Sequence, residues 1–253
     1  MSDSTNIDQK AGFGAQGNTF IGEQHNHSGL TPADATQMAF TIFKEYFPQL
    51  RQDALKEVHT IVENELKKIP ASDIQTPSAK IAVPLLQNAS ITEEKILREM
   101  YGKLLAGDMN KQTKSSVHPA YIEIINQMSS DDAELFRRIV KIENSIPLAN
   151  IQFVFDNKYL INAMPHYFSP LFAGLDPWKV SICVENLSRL NIFHFFEGRV
   201  NNYDYEKIKQ DPFVIKKFEF AQKNNPSRKL SIKLSPYVIQ MNEFGRELSK
   251  LCF

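Results

Sequence analysis

At 253 residues and 28.9 kDa the chain has room for one large domain or two small ones, and a hydrophobic share of 42% against 23% charged excludes wholesale disorder and collagen-like repeats. Lys plus Arg number 29 and Asp plus Glu 29, so no global field draws the chain to nucleic acid or anionic lipid, and any such binding needs a local patch. Two cysteines, Cys183 and Cys252, exclude a disulfide framework and fit a reducing compartment.

Residues 1–30 gather Gly12, Gly14, Gly17, Gly22 and Gly29 with few apolar side chains, and cannot build a core alone. They read as a flexible Gly/Asn-rich leader or a short β-hairpin. Asn18 to Gly22 has strand character, and Glu23, Gln24, His25, Asn26 and His27 follow as a polar turn or second short strand. The leader lacks the basic-then-apolar order of a secretory signal. No run in the chain reaches the ~18 consecutive apolar residues of a membrane-crossing helix, so a soluble, cytoplasmic protein is expected.

Helix follows helix from Thr31, whose side chain can cap a first turn that has Pro32 at its first position. Ala35, Met38, Ala39, Ile42, Phe43, Tyr46 and Phe47 form one apolar stripe, and Leu50 to Leu66 continue the period beyond Pro48, as two helices or one kinked helix. Further helices are predicted over 78–89, over 92–106 behind a Thr92 cap, over 119–128, and over 130–142 from Ser130. Past Pro147 the pattern changes: Ile151 to Phe155 is strand-like, and 163–175 reads as a loop with Pro165, Pro170 and Gly174. Asp176 caps a helix over 178–190, Ile192 to Phe196 is a short apolar run, Lys229 to Leu234 alternates as a strand, and Asn242 to Cys252 closes as a helix. The expected fold is mainly α: a leader over 1–30, a multi-helix region over 31–148, and a small α+β module over 149–253 resembling a winged helix.

The sequence offers little conventional chemistry. It has no phosphate loop, dinucleotide fingerprint, zincin helix or paired-cysteine zinc spacing. Glu23, His25 and His27 are weak metal candidates, since three ligands fall short of a structural zinc site and a solvated turn explains them as well. Cys183 and Cys252 fall on apolar faces as packing residues, and the acid pairs Glu93–Glu94 and Asp131–Asp132 sit at helix starts, where the macrodipole accounts for them. His118 and the segment Met164 to Phe168 read as structural. No catalytic residue and no cofactor are assigned. Between 199 and 233, Lys207, Lys209, Lys216, Lys217, Arg228 and Lys229 interleave with Tyr203, Tyr205, Phe213, Phe218 and Phe220, a conceivable nucleic-acid surface or a solvated face over a small core.

Three blocks, Pro84 to Glu94, Leu97 to Ala106 and Val117 to Ala133, followed by Leu187 to Ile192, Ile232 to Pro236 and Phe244 to Cys252, resemble the Abi-alpha family. This is a bacterial group associated with abortive infection and phage resistance, and the resemblance covers about 69–253. The stretch from Asn18 to Thr31, leading into Phe43 to Leu50, looks like a segment recurring on bacterial conflict proteins. The resemblance implies antiphage defence by arrest or death of the infected cell and supplies no catalytic residue. Low charge and exposed amides at Thr19, Phe20, Ile21, Gly22, Gln24 and Asn26 suit strand addition, so action through protein contacts or self-assembly is expected. A nucleic-acid-binding regulator and a cryptic hydrolase are the alternatives.

Overall fold

The computed structural model describes residues 31–46, 52–142, 145–156, 159–168 and 175–253. Helix α1 (Pro32–Tyr46) opens as its sequence dictates: Thr31 Oγ1 accepts from the Asp34 N–H at 3.1 Å and donates to the Asp34 carboxylate at 2.6 Å. Residues 47–51, where the sequence allows two helices or one kinked helix, lie outside the described residues.

Helices α2 (Gln52–Leu66), α3 (Ala79–Ile91) and α4 (Lys95–Asp108) pack their apolar stripes together, with Val58, Val62, Leu66, Leu85, Leu86, Met100, Leu104 and Leu105 fully buried. Buried Asp108 accepts from the Ser78 N–H at 2.6 Å, tying the end of α4 to the start of α3. Thr92 does not cap α4 as the sequence predicts. It closes α3 instead, its hydroxyl donating to the Asn88 carbonyl at 2.7 Å, while Arg98 Nη1 bonds the carbonyls of Thr92 and Glu93 and Arg98 Nε pairs with Glu57. After α5 (Ala120–Asn126), α6 (Ser130–Lys141) starts at the expected residue behind a capping box, with Ser129 and Asp132 each bonding the other's backbone N–H.

The second half is built on a four-stranded antiparallel sheet of β1 (Ile146–Phe155), β2 (Leu160–Tyr167), β3 (Phe193–Glu197) and β4 (Leu230–Met241), in the order β2-β1-β4-β3. Helix α7 (Pro177–Arg189) links β2 to β3, the 199–229 excursion contains a 3-10 segment and α8 (Pro212–Lys223), and α9 (Glu243–Cys252) follows β4. The molecule is mainly helical with a small β module, in agreement with the expected class. Two local expectations fail. Strand β1 starts at Ile146, ahead of the expected 151, and Ala163 to Tyr167 belong to β2 where the sequence suggests a loop. The reason is position: β2 is an outer strand, where Pro165 leaves no inward ladder bond unmade.

The pairing register sorts side chains between the two faces. Ile146, Leu148, Asn150, Phe193, Phe195, Glu197, Ser235, Tyr237 and Ile239 share one face, whose apolar end packs toward α6 and α9. The opposite face carries Ala149, Ile151, Phe153 and Phe155 and is covered by α8, with Phe218 edge-on to Phe153 and Phe213 stacked on Tyr167. Buried apolar side chains form one continuous cluster from Ala35 to Cys252.

Candidate functional site

The unusual chemistry lies where the helix-side face of the sheet turns polar. Between the pairs Ile151↔Met164 and Ala149↔Tyr167, Pro165 and His166 of β2 stand opposite the single residue Asn150, which is a β-bulge. His166 occupies it with φ +54°, a left-handed conformation that non-glycine residues adopt only at some cost. Its N–H donates to Asn150 Oδ1 at 3.1 Å. The bulge therefore aims the imidazole across β1 rather than along its own strand.

There the ring meets three elements. Nδ1 bonds the Tyr237 hydroxyl on β4, Nε2 lies 3.2 Å from Glu185 Oε1 on α7, and the ring stacks on Phe195 of β3 with centroids 5.3 Å apart and planes inclined by 16°. Burial, followed by the nearby Glu185 charge, pushes the Tyr237 phenol far up, so it stays protonated and donates. Burial also lowers the His166 pKa, against the opposing pull of Glu185, which favours the neutral ring. One tautomer satisfies everything: Nδ1 accepts from Tyr237 and Nε2–H donates to Glu185.

Acid, imidazole and hydroxyl in series resemble a nucleophile relay in outline, but the hydroxyl belongs to a half-buried phenol whose pKa moves away from activation. Glu185 closes the chain of bonds, and its side chain remains 66% exposed. Two clefts flank the imidazole. One, of about 300 Å³, is lined by Asn150, Asn162, Met164, Pro165 and Glu185; the other, of about 340 Å³, by Phe195, Phe196, Glu197, Ser235 and Tyr237.

In the sequence His166 reads as structural, and neither Glu185 nor Tyr237 stands out. Their separations leave no local pattern, and only the proline before an outer-strand histidine hints at a bulge. The little conventional chemistry that the sequence offers does not announce this convergence of three ionisable groups.

The other sequence candidates are distributed differently. Thr19, Phe20, Ile21, Gly22, Glu23, Gln24, His25, Asn26 and His27 lie outside the described residues. On the basic segment, Lys207, Lys216, Arg228 and Lys229 are exposed, Lys209 pairs with Glu206 at 2.7 Å, Lys217 lies over the rings of Trp178 and Phe213, and Arg228 over Phe155. Tyr205 is buried and Tyr203, Phe213 and Phe218 half-buried, so of the five interleaved rings Phe220 alone faces outward. Both cysteines are buried and burial pushes each thiol up to about 12, as packing residues require. Among the described residues no group of three or more His, Cys, Asp or Glu is placed to hold a metal ion, and no helix is long and apolar enough to cross a membrane.

No curated protein and no solved structure matches the chain. A family model described as abortive infection alpha matches residues 50–252, starting ahead of the 69 at which the sequence blocks begin and taking in everything from α2 to α9. The bulge, its partner strands and the helices beneath them all fall inside that match, and the chain belongs to the abortive infection alpha family, with the abortive-infection role that the family's name carries.

Proposed function

We propose that the chain serves abortive infection by gripping a partner protein along the outer edge of β3, and not by chemistry of its own. The observation that carries this reading is the edge itself. Strand β3 is the last in the sheet order, and among the described residues no strand pairs with its outer side. It presents a ring on each face, Phe195 at 40% and Phe196 at 47% exposure. An open row of backbone donors and acceptors with aromatic side chains above and below is what strand addition uses, the ladder giving affinity and the side-chain pockets specificity. Leader residues Thr19 to Asn26, with their strand character, are one source of such a strand, from the same chain or from a second copy.

Phe196→Lys puts a charge on this edge without touching the core, the device by which natural sheets prevent edge pairing. The expected outcome is an unchanged melting temperature together with loss of plaque reduction in a phage-challenged bacterial host. Full protection by the folded variant removes the proposal. The nucleic-acid reading has less support, because most of the rings it needs face the core, and salt-sensitive gel retardation would restore it.

A further inference from the structure

The chain carries no net charge, so attraction to an anionic surface has to come from a local patch, and the outward face of α8 provides one. From Pro212 to Lys229 the sequence sets five cations, Lys216, Lys217, Lys223, Arg228 and Lys229, against the single acid Glu219. The helix buries Val214 and half-buries Phe213, Phe218 and Ala221, which leaves Ile215, Lys216, Glu219, Phe220 and Lys223 in solvent. Lys216, Lys223 and Lys229 have no ion pair or hydrogen bond among the described residues. Helix α8 meets α7 through Lys217, whose Nζ lies 5.5 Å from the ring centroid of Trp178 and 5.6 Å from that of Phe213. Ile182 stands one turn along α7 from Trp178, on the same side of that helix. Exposure is 67% at both Ile182 and Phe220, 43% at Trp178 and 40% at Ile215, so four large apolar side chains stand in water among the lysines. On α7, Lys179 faces Asp131 at 3.8 Å and Glu185 bonds His166, which leaves the excess positive charge on α8.

The mixture of side chains selects among partners. Nucleic acid offers phosphates to the lysines, but two of the four apolar side chains are isoleucines, which give bases no ring to stack on. Protein interfaces are depleted in lysine. An anionic bilayer uses both kinds of side chain: its headgroups attract the ammonium groups at the ends of their long stems, while rings and aliphatic groups enter the acyl boundary.

We infer that the α7–α8 surface, with Trp178, Ile182, Ile215 and Phe220 set among Lys216, Lys217 and Lys223, is a peripheral binding site for anionic phospholipid bilayers. Such binding lies on the membrane and needs no helix that crosses it. The surface shares no residue with the β3 edge, so this inference and the edge-docking reading stand or fall separately.

Trp178 is the chain's single tryptophan and sits on this surface, so its fluorescence reports the site directly. The full chain is titrated with vesicles of phosphatidylglycerol and phosphatidylethanolamine, and separately with vesicles of phosphatidylcholine alone. The expected result is a saturable blue shift and co-sedimentation with the anionic vesicles and neither with phosphatidylcholine. Raising NaCl to about 0.5 M should abolish most of the shift by screening. Phe220→Ser and, separately, the double variant Lys216→Gln, Lys223→Gln should each need about tenfold more lipid for the same shift. Both should melt as the native chain does, because the three side chains are exposed. No shift with anionic vesicles, an equal shift with phosphatidylcholine, or an unchanged lipid requirement in either folded variant overturns the inference. Quenching of Trp178 by a single-stranded oligonucleotide, with no response to anionic vesicles, overturns it too and assigns the surface to nucleic acid.

Discussion

His166 concentrates most of what is distinctive at the level of single residues. A left-handed backbone, a buried imidazole and partners on two other elements each carry a free-energy cost or constraint, and they coincide at one position. The imidazole also gives stability a pH dependence whose sign can be worked out. Burial lowers its pKa in the folded chain below the ordinary 6.5, although Glu185 pulls the other way. Below pH 6.5 the unfolded chain therefore binds the proton more readily than the folded one, and stability falls as the pH drops toward the folded value. Tyr237 stays neutral throughout this range. Asn tolerates the left-handed region and does not titrate, so His166→Asn should lose less stability between pH 7 and pH 5 than the native chain. Urea unfolding at both pH values measures this, and parallel losses would count against the assignment. Nothing near His166 in the sequence announces its role, because its partners come from α7 and β4, and such a network becomes visible only after β2 is folded against β1.

Single elements were easier to read than their junctions. The apolar periodicity of α2 to α6, the Thr31–Pro32 start, the Asp176 cap and the closing helix from Asn242 are local features, and each has its structural counterpart. Thr92 misled because a threonine between two helices can serve either, and here it bonds backward to Asn88. Strand β2 was hidden by its proline, since the ladder that organises it comes from β1. The close approach of α2 and α4 was hidden as well. At Gly102 an added Cβ would lie 2.6 Å from Ile61 Cγ2 and 2.9 Å from Ile61 Cβ, so the two helices are as near as a missing side chain allows. Gly102→Ala gains helix propensity yet must push Ile61 aside. Overpacking should prevail, with a net loss of about 1–3 kcal/mol, readable as a lowered melting temperature. Ile61→Ala in the same chain should recover part of the loss, and no recovery would point to another cause.

At the scale of the molecule, composition and helical periodicity were enough for the class, helices first and a small β module after, while the sheet's order was not legible because its central pair joins distant segments. Phe155 must find Leu230 and Ile146 must find Ile239, with α7, β3 and α8 all lying between them in sequence. Local contacts form early and distant pairings late, since loop closure precedes their reward. Pulse-labelled hydrogen exchange during refolding should show amides of α2 to α4 protected before those of β4. Simultaneous protection would mean that helices and sheet fold as one unit.

The placement of β1 has a cost during that interval. The β1–β2 pair is separated by only a few residues in sequence and can close at once, yet one flank of Ile146–Phe155, nearly all apolar, stays bare until β4 is delivered to it. An incomplete chain thus offers a sticky ribbon to its neighbours, and crowding at high synthesis rates will divert molecules into aggregates before they mature. A slower supply of nascent chains, or a chaperone that shields this ribbon, raises the yield without any change to the finished protein.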